Sequence, residues 1–373
     1  MVNEWELATE SKYDRQRAIW DQEILRKARV LVVGAGTLGN EAVKNLALLG
    51  VGSITIIDND IIERVNLNRC LLFREEDIGL PKARVAAERA RELNPDIDVS
   101  YHIADVIFDF GGGFFENFDI VLSCLDNREA RMYLNRYCYL VRRPLVDGAL
   151  EGLSGEVKVV IPPTTSCLEC AFDDLSYKLI AEKYSCSGAK FTQAKEVIPM
   201  VVHTSAIIAG IQVQEAVKIL HGDFSNGGKA IRYDGEKCEM LKYEIPIRSD
   251  CPNHEKYPIK EIDGITMDSK IINVIKILNQ HYGGGEFTLY YDKEICFSLK
   301  CPRCSYEKEV GKPLKRMHVD ELYCPKCGSE MIPDSSMELK SKELTFRELG
   351  IPENSLIKVY PKNNNRKPFY IKV

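Results

Sequence analysis

Short apolar runs alternate with helical patterns through the first 150 residues. Residues 30–33 form a β-branched run that ends in glycines, a helical pattern follows to Leu49, and residues 53–58 form a second apolar run. This order predicts a strand, a turn, a helix and a strand, which together make one βαβ unit. The alternation continues with helices at 82–93 and 128–140 and strands at 98–103, 120–126 and 144–150. We therefore expect a mostly parallel α/β sheet with helices on both faces.

The pattern changes after residue 150. A strand is predicted at 155–161 and a helix at 204–220, whereas residues 162–198 are poorly periodic and predict a long crossover loop. The C-terminal part contains a small cysteine-rich segment. We expect four parts, namely a large α/β domain, a linker with a helix, a cysteine module and a β tail, at 1–257, 258–285, 286–334 and 335–373.

Composition and charge restrict the class of protein. The 373 residues suffice for one large α/β domain and a small module, and 45% hydrophobic with 28% charged residues is ordinary for a soluble globular chain. The net charge of −5 argues against a protein that coats nucleic acid or an anionic membrane. The polar N-terminus lacks leader features, and polar side chains interrupt the apolar stretch 198–220. We expect a cytoplasmic protein without a membrane partner.

Three glycines follow the first predicted strand and open the first long helix. Gly34, Gly36 and Gly39 form G-x-G-x-x-G, and Asp58 lies nineteen residues past Gly39, at the end of the second strand. Such glycines let backbone N–H groups approach phosphate at a helix N-terminus, and the carboxylate can accept hydrogen bonds from ribose hydroxyls. This predicts a Rossmann-like, doubly wound nucleotide-binding fold. Taken alone, the pattern fits a dinucleotide at least as well as ATP.

Charged residues further along the chain favour ATP. Carboxyl ends of parallel strands face the ligand, so Asp58 and Asp126 should converge on one crevice. Arg69 and Lys82 would supply the cations that a triphosphate needs, whereas a nicotinamide dinucleotide does not need two. A carboxylate such as Asp126 beside a polyanion makes sense chiefly if Mg²⁺ lies between them.

Several short motifs occur together in a characteristic order. They are Tyr13-Asp14-Arg15-Gln16, the glycine turn, Asp58-Asn59-Asp60, Asn66-Leu67-Asn68-Arg69, Pro81-Lys82 and Leu125-Asp126-Asn127. Over residues 10–257 the sequence resembles the adenylating family of ubiquitin-activating enzymes, which includes the bacterial activators of molybdopterin synthase and of the thiamine sulfur carrier. The resemblance implies that ATP is used to adenylate the C-terminal glycine carboxylate of a small carrier protein ending in Gly-Gly.

The resemblance also implies a role for each polar residue. Asp58 would hold the ribose, and Asp126 would position Mg²⁺. The phosphates would be bound by Asn66, Arg69 and Lys82. Arg15 would reach across a homodimer interface to the nucleotide of the other subunit.

Thirteen cysteines, an odd number without a leader peptide, argue against a disulfide framework. Cys167 and Cys170 form a C-x-x-C clip that can pair with Cys251 and His254, and two such clips make a closed zinc site. Relatives with this site usually present four cysteines, so His254 is a departure. Three cysteines and one histidine are nevertheless a normal zinc set.

A second set of cysteines lies near the C-terminus. The two C-P-x-C clips, Cys301 with Cys304 and Cys324 with Cys327, are typical of a zinc ribbon. Lysines and arginines are numerous around them, but aromatic residues are few and acids are interspersed. A solvated face or a protein-docking module is therefore favoured over a nucleic-acid reader. Together the clips predict two Zn²⁺ sites.

Cys186 is the candidate nucleophile. It lies among small residues in the predicted crossover loop, and it resembles the position where many relatives carry the cysteine that takes a thioester or a persulfide-linked carrier. A thiolate attacks an acyl-adenylate more readily than water does. By contrast, Cys70, Cys124 and Cys138 fall in predicted helices or strands and are expected to be buried.

Alternatives remain open at this point. The leading hypothesis is an activating enzyme for a ubiquitin-like protein that goes on to form a thioester on Cys186. Whether a conjugating enzyme then receives the protein stays open. A close variant is a sulfur-carrier adenylyltransferase that stops at the acyl-adenylate or a persulfide. An NAD-dependent oxidoreductase is supported only by the glycine turn and Asp58. The non-enzymatic alternative is a zinc-ribbon binding protein with a vestigial nucleotide domain.

Overall fold

The computed structural model describes residues 11–171, 200–254, 257–341, 343–362 and 366–373. The chain divides into two compact units. Among the described residues, the first unit comprises 11–107, 115–171 and 200–254, and the second comprises 108–114 and the residues from 257 onward.

The first unit is built on an eight-stranded sheet. Its strands are β1 Arg29–Val33, β2 Ser53–Ile57, β3 Asp98–His102, β4 Ile120–Ser123, β5 Leu145–Glu151, β6 Ser154–Val160, β7 Lys229–Asp234 and β8 Glu239–Glu244. They lie in the order β3-β2-β1-β4-β5-β6-β7-β8. The first five strands in this order pair with one another in parallel, and β6, β7 and β8 extend the sheet from β5 by antiparallel pairing. The predicted mostly parallel, Rossmann-like α/β sheet is confirmed.

Helices cover this sheet. They are α1 Asp14–Arg17, α2 Gln22–Lys27, α3 Thr37–Leu49, α4 Lys82–Leu93, α5 Arg128–Leu140 and α6 Val202–Leu220. Local chemistry sets their ends: the Asn127 side chain accepts a hydrogen bond from the Ala130 N–H at the start of α5, and Gly50 adopts the left-handed conformation that ends α3. Within the described ranges, no helix combines the length and apolarity that crossing a bilayer demands.

The main core lies between the sheet and the helices α3, α4 and α6. Strand β1 is central, and its residues Val30 and Val32 are fully buried because helices cover the sheet. Each such side chain contributes roughly 1.5–3 kcal/mol through removal from water. Within the predicted crossover loop, 162–198, Leu168–Ala171 forms a 3₁₀ turn, and residues 172–199 lie outside the described residues.

The described residues of the second unit form a six-stranded sheet and one long helix. Its elements are β9 Ile259–Lys260, α7 Ile271–His281, β10 Phe287–Lys300, β11 Glu307–Pro313, β12 Ile332–Glu338, β13 Leu356–Pro361 and β14 Phe369–Lys372. The sheet order is β11-β10-β13-β14-β9, and β12 also pairs with β10. Helix α7 packs its buried residues Ile271, Val274 and Leu278 against this sheet.

Strand β10 links the cysteine-rich end of this unit to the rest. Its first residues pair with β13, and its remaining residues pair with β11 and β12, which flank the cysteine clips. The fourteen-residue strand thus runs through two small cores, one under α7 and one that includes Cys301 and Cys324. The cysteine module and the C-terminal strands therefore share one continuous sheet.

Candidate functional site

The glycine turn lies between β1 and α3, and two of its three glycines are required by its own packing. Gly34 has a φ of +95°, and a Cβ there would overlap the carbonyl oxygen of Cys124. A Cβ on Gly39 would overlap the carbonyl oxygen of Gly34. These two residues would have to be glycine for the turn to fold, whether or not a ligand binds.

Gly36 is different from the other two. Its φ of −73° is ordinary for any residue, and a Cβ there would meet no atom of the described residues within 4 Å. It precedes the first residue of α3, where backbone N–H groups and the helix dipole attract anions. Packing does not require the glycine, although glycine is also a favourable helix N-cap, and the open space at Gly36 is the feature that indicates a ligand.

Asp58 follows β2 and is tied to the glycine turn. Its Oδ2 accepts a hydrogen bond from the Ala35 N–H at 2.6 Å, and its Oδ1 accepts one from the Asp60 N–H at 2.7 Å. Burial raises the pKa of Asp58 even though both hydrogen bonds favour the charged carboxylate. The structure therefore keeps a poorly solvated carboxyl group beside the turn.

Lys82 opens α4 and lies beside the same acidic segment. Its Nζ donates to Asp60 Oδ2 at 2.8 Å, and only 12% of its side chain is exposed. Burial alone would lower the pKa of Lys82, but the hydrogen bond to Asp60 and the charges of Asp58 and Asp60 outweigh it and raise the pKa. Lys82 is thus a protonated, partly desolvated cation.

Arg69 follows a short 3₁₀ turn at Arg64–Asn66, and its side chain reaches the N-terminus of α3. Its Nε donates to Thr37 Oγ1 at 3.1 Å, and its Nη1 donates to the Val65 carbonyl and to Asn68 Oδ1. Asn66 is buried, and its Oδ1 accepts from the Glu63 N–H at 2.8 Å, which closes the short turn that carries Arg69.

Asp126 lies beyond the end of the neighbouring strand, β4. The Cys124 N–H donates to the Val33 carbonyl at 2.8 Å, which brings this segment against the glycine turn. Arg131 of α5 donates to the carbonyls of Leu125 at 2.9 Å and Gly148 at 3.1 Å, tying the ends of β4 and β5 together. The backbone before Asp126 is therefore fixed, whereas its side chain is exposed to solvent.

The fold brings most of the predicted nucleotide residues to one edge of the sheet. Asp58 contacts the turn at Ala35 and Arg69 contacts it at Thr37. Lys82 joins through Asp60, and Asp126 follows the strand that packs on Gly34. The edge combines an open helix N-terminus, two cations and three carboxylates, which suits a polyphosphate with a divalent cation.

Arg15 does not join this group within one chain. It is exposed in α1, and the neighbouring Gln16 donates to the Leu49 carbonyl at 2.8 Å, at the C-terminal end of α3. The thirteen residues of α3 span about 20 Å, and the glycine turn is at the other end.

The first predicted metal set comes together in space. The ligand atoms of Cys167, Cys170, Cys251 and His254 lie within 4.8 Å of one another. The Cys167 and Cys251 sulfurs are 3.6 Å apart, and Cys170 Sγ is 3.4 Å from His254 Nε2. Thiolates bound tetrahedrally to zinc at about 2.3 Å would be about 3.7 Å apart, so the group fits a zinc ion.

Helix α5 supports this metal centre. The buried Asn135 side chain accepts from the Leu168 N–H at 2.9 Å, and its carbonyl accepts from Asn253 Nδ2 at 3.4 Å. The Tyr139 ring stacks on His254 with centroids 4.5 Å apart. Both clips are therefore held by the helix that begins just after Asp126.

The second metal set also comes together. Cys301 is 3.5 Å from Cys327, and Cys304 is 3.5 Å from Cys324, measured between sulfurs. All four sulfurs lie within 4.8 Å of one another at the end of β10. Four cysteines at these distances fit a closed structural zinc site.

Six cysteines lie outside the two metal sets, and among these Cys238 is exposed and Cys296 is buried. Cys70, Cys124 and Cys138 are buried, which confirms the prediction for them. Burial raises the pKa of Cys124 to about 12, so its thiol is not a nucleophile at neutral pH. Cys186 lies outside the described residues.

Sequence reasoning missed the side chains that hold the functional ones in place. They are Thr37 for Arg69, Asp60 for Lys82, Arg131 for the Asp126 segment and Asn135 for the first metal centre. Thr37, Asp60 and Asn135 each act on a residue more than twenty positions away, so no spacing rule could find them. Arg131 acts on Leu125 only six residues away, but this contact has no characteristic spacing. A weak signal did exist for Asn135, because it is a polar residue on the buried face of a predicted helix.

Comparison with known proteins places the chain in a family. Part of SUMO-activating enzyme subunit 2 from Dictyostelium discoideum is 42% identical over 147 residues, which is 39% of this chain and 22% of that protein. The NEDD8-activating enzyme E1 catalytic subunit of Saccharomyces cerevisiae is 40% identical over 156 residues, 39% of this chain and 52% of that protein. The chain thus matches about a fifth to a half of the length of these two relatives.

A solved structure shares the fold, and a family description covers most of the chain. The crystal structure of E. coli MccB with ATP aligns with a TM-score of 0.56 at 20% identity, covering 67% of this chain and 75% of the other. Residues 13–253 match the ThiF family. This is more than half of the sequence, and it includes the glycine turn, the charged residues around it and three of the four ligands of the first metal centre. The chain therefore belongs to the ThiF family.

Proposed function

We propose that this protein is an enzyme that uses ATP to adenylate the C-terminal glycine carboxylate of a ubiquitin-like or sulfur-carrier protein. One observation carries the proposal: the open helix N-terminus at Gly36 is flanked by the cations Arg69 and Lys82 and by the carboxylates Asp58 and Asp126. Relatives named as SUMO- and NEDD8-activating enzymes, and the similar fold of MccB with ATP, support the same reaction class.

The charges of the site suit the reaction. The carrier carboxylate attacks the α-phosphorus of ATP in line, so that a new O–P bond forms and the bond to pyrophosphate breaks. Negative charge on the phosphoryl oxygens is stabilised by Arg69 and Lys82, whose positions are fixed before ATP binds. Asp126 would hold Mg²⁺, which supplies further neutralisation of the phosphates. Asp58 would orient the ribose through its hydroxyls.

Carrier-dependent ATP–pyrophosphate exchange tests this proposal. Asp126→Ala should abolish exchange and leave the unfolding transition unchanged, because the carboxylate is exposed. Asp98→Ala is a matched control, since Asp98 is an exposed carboxylate at the start of β3, on the opposite edge of the sheet. Exchange that survives Asp126→Ala, or stabilisation by NADH but not by ATP, would overturn the proposal in favour of another nucleotide reaction.

The step after adenylation depends on Cys186. In the proposed sequence, its thiolate displaces AMP from the acyl-adenylate and forms a thioester, which a conjugating enzyme can receive. A sulfur-transfer enzyme would instead stop at the adenylate or form a persulfide. Intact-mass measurement of the reaction without reductant separates these outcomes: a carrier adduct that has no additional sulfur atom and is lost in Cys186→Ala supports the thioester, whereas an adduct heavier by one sulfur atom indicates a persulfide.

We also propose that Arg15 acts on the nucleotide of a partner subunit in a homodimer. The anchoring of its neighbour Gln16 at the far end of α3 supports action in trans. Arg15→Ala and Asp126→Ala should each be inactive. When the two variants are mixed and their subunits exchange at random, about half of the dimers are heterodimers, and one of the two sites in each heterodimer carries neither substitution. The mixture should therefore recover about a quarter of wild-type exchange. A mixture with no recovered activity would refute the shared site.

A further inference from the structure

We propose that Thr37 is the positioning residue for Arg69, and that it sets the affinity of the site for ATP. This inference rests on the proposed function. Thr37 is the first residue of α3, directly after the open position at Gly36. Its hydroxyl accepts the hydrogen bond from Arg69 Nε at 3.1 Å, across thirty-two residues of sequence.

The geometry leaves one edge of the guanidinium available for a ligand. Nε is bound by Thr37, and Nη1 is bound by the Val65 carbonyl and Asn68 Oδ1. Within the described part of the chain, Nη2 has no hydrogen-bonding partner, and the side chain is partly exposed. An anion at the start of α3 can therefore take a hydrogen bond from Nη2 without breaking those that fix Arg69.

Thr37 is well suited to orient a long side chain. A free arginine side chain loses much conformational entropy when it is ordered. If the ligand-free protein does not already hold the side chain in place, this entropy is lost when the ligand binds, and the binding is weaker. Thr37 is only 6% exposed, and branching at Cβ restricts its χ1 angle. The hydroxyl oxygen, which also lies 3.9 Å from Cys70 Sγ, is thus a rigid acceptor that orients Arg69 in advance.

Two substitutions of Thr37 distinguish the effect of its hydroxyl group on ATP affinity from the effect of its side-chain shape. Thr37→Val keeps the branched shape and removes the acceptor, so the KM for ATP in the exchange assay should rise roughly tenfold, as expected when ligand binding must itself order a long side chain. The KM for the carrier should not change, and the unfolding midpoint should fall only slightly, because the Arg69 side chain that loses its acceptor is partly exposed and can be solvated. Thr37→Ser keeps the hydroxyl and should stay within about threefold of wild type. Equal effects of Val and Ser would refute the hydroxyl's role.

A double-mutant cycle tests whether Thr37 acts through Arg69. If it does, Thr37→Val combined with Arg69→Ala should be no worse than Arg69→Ala alone, whereas multiplying losses would overturn the inference. The cycle also separates this inference from the proposed function. Full exchange activity in Arg69→Ala would reject the assignment of the site itself. Loss of exchange in Arg69→Ala with normal ATP affinity in Thr37→Val would reject only the positioning role.

Discussion

Replacement of Gly36 by alanine tests whether the space at the start of α3 exists for a ligand. The folded state should tolerate the change, because φ is −73° and a Cβ would meet no described atom within 4 Å. Alanine is a poorer helix cap than glycine by up to about 1 kcal/mol. Alanine also lowers the conformational entropy of the unfolded chain, and this stabilises the folded state by roughly 0.4–1 kcal/mol. The two effects oppose each other, so the free energy of unfolding should change by less than about 1 kcal/mol.

The same methyl group should strongly weaken ATP binding. A phosphate that approaches the N–H groups at Gly36 would meet the Cβ and lose a hydrogen bond to a charged group, worth about 1.5–3 kcal/mol. This corresponds to roughly 10- to 100-fold weaker binding. Urea denaturation measures the stability, and titration calorimetry with ATP and Mg²⁺ measures the affinity.

Two other glycines serve as controls. Gly210 in α6 is exposed and also faces open space, so Gly210→Ala should leave ATP affinity unchanged and stabilise the helix by about 1 kcal/mol. Gly34→Ala should destabilise the fold by several kcal/mol, because a positive φ and a backbone clash both oppose it. If Gly36→Ala bound ATP as tightly as wild type, the reasoning that assigns the open space to a ligand would be refuted.

Three further predictions concern the supporting structure. His254→Cys should retain two zinc ions per chain and His254→Ala only one by metal analysis, because four cysteines also make a complete site; two ions in the alanine variant would contradict this. Iodoacetamide at pH 8 should modify the exposed Cys238 and spare Cys124, whose pKa burial raises to about 12; faster labelling of Cys124, detected by mass spectrometry, would show that the core opens. Arg131→Ala should cost about 2–4 kcal/mol in urea denaturation, because carbonyls at the ends of β4 and β5 lose their donor; a loss no larger than that of the exposed Arg128→Ala would disprove this role.

The alternation of apolar runs was sufficient to predict the parallel sheet of the first unit. Burial on both faces makes a central strand such as β1 continuously apolar, and this signal is local in sequence. The C-x-x-C and C-x-x-H spacings likewise identified two sets of metal-ligating side chains, since each clip spans only four residues. The spacing did not reveal that Asn135 and Tyr139 of α5 hold the first set.

The second unit shows a limit of local patterns. The sequence suggested a cysteine module at 286–334 followed by a β tail, because cysteine clips and turn residues mark those segments. It did not predict that β10 pairs with strands on both sides of that boundary. Antiparallel pairing depends on which strands meet after folding, and short strands carry little information about their partners.

In the nucleotide site, the sequence by itself determined that a glycine turn, acidic strand ends and two cations exist. It presented Gly34, Gly36 and Gly39 as equivalent members of one motif. Only the tertiary structure distinguished them, since Gly34 and Gly39 each press against a backbone carbonyl while Gly36 faces open space. It also decided that Thr37 holds Arg69 and that Asp60 holds Lys82. The physical reason is that local sequence specifies each element, whereas side-chain contacts between distant elements arise only when those elements pack together.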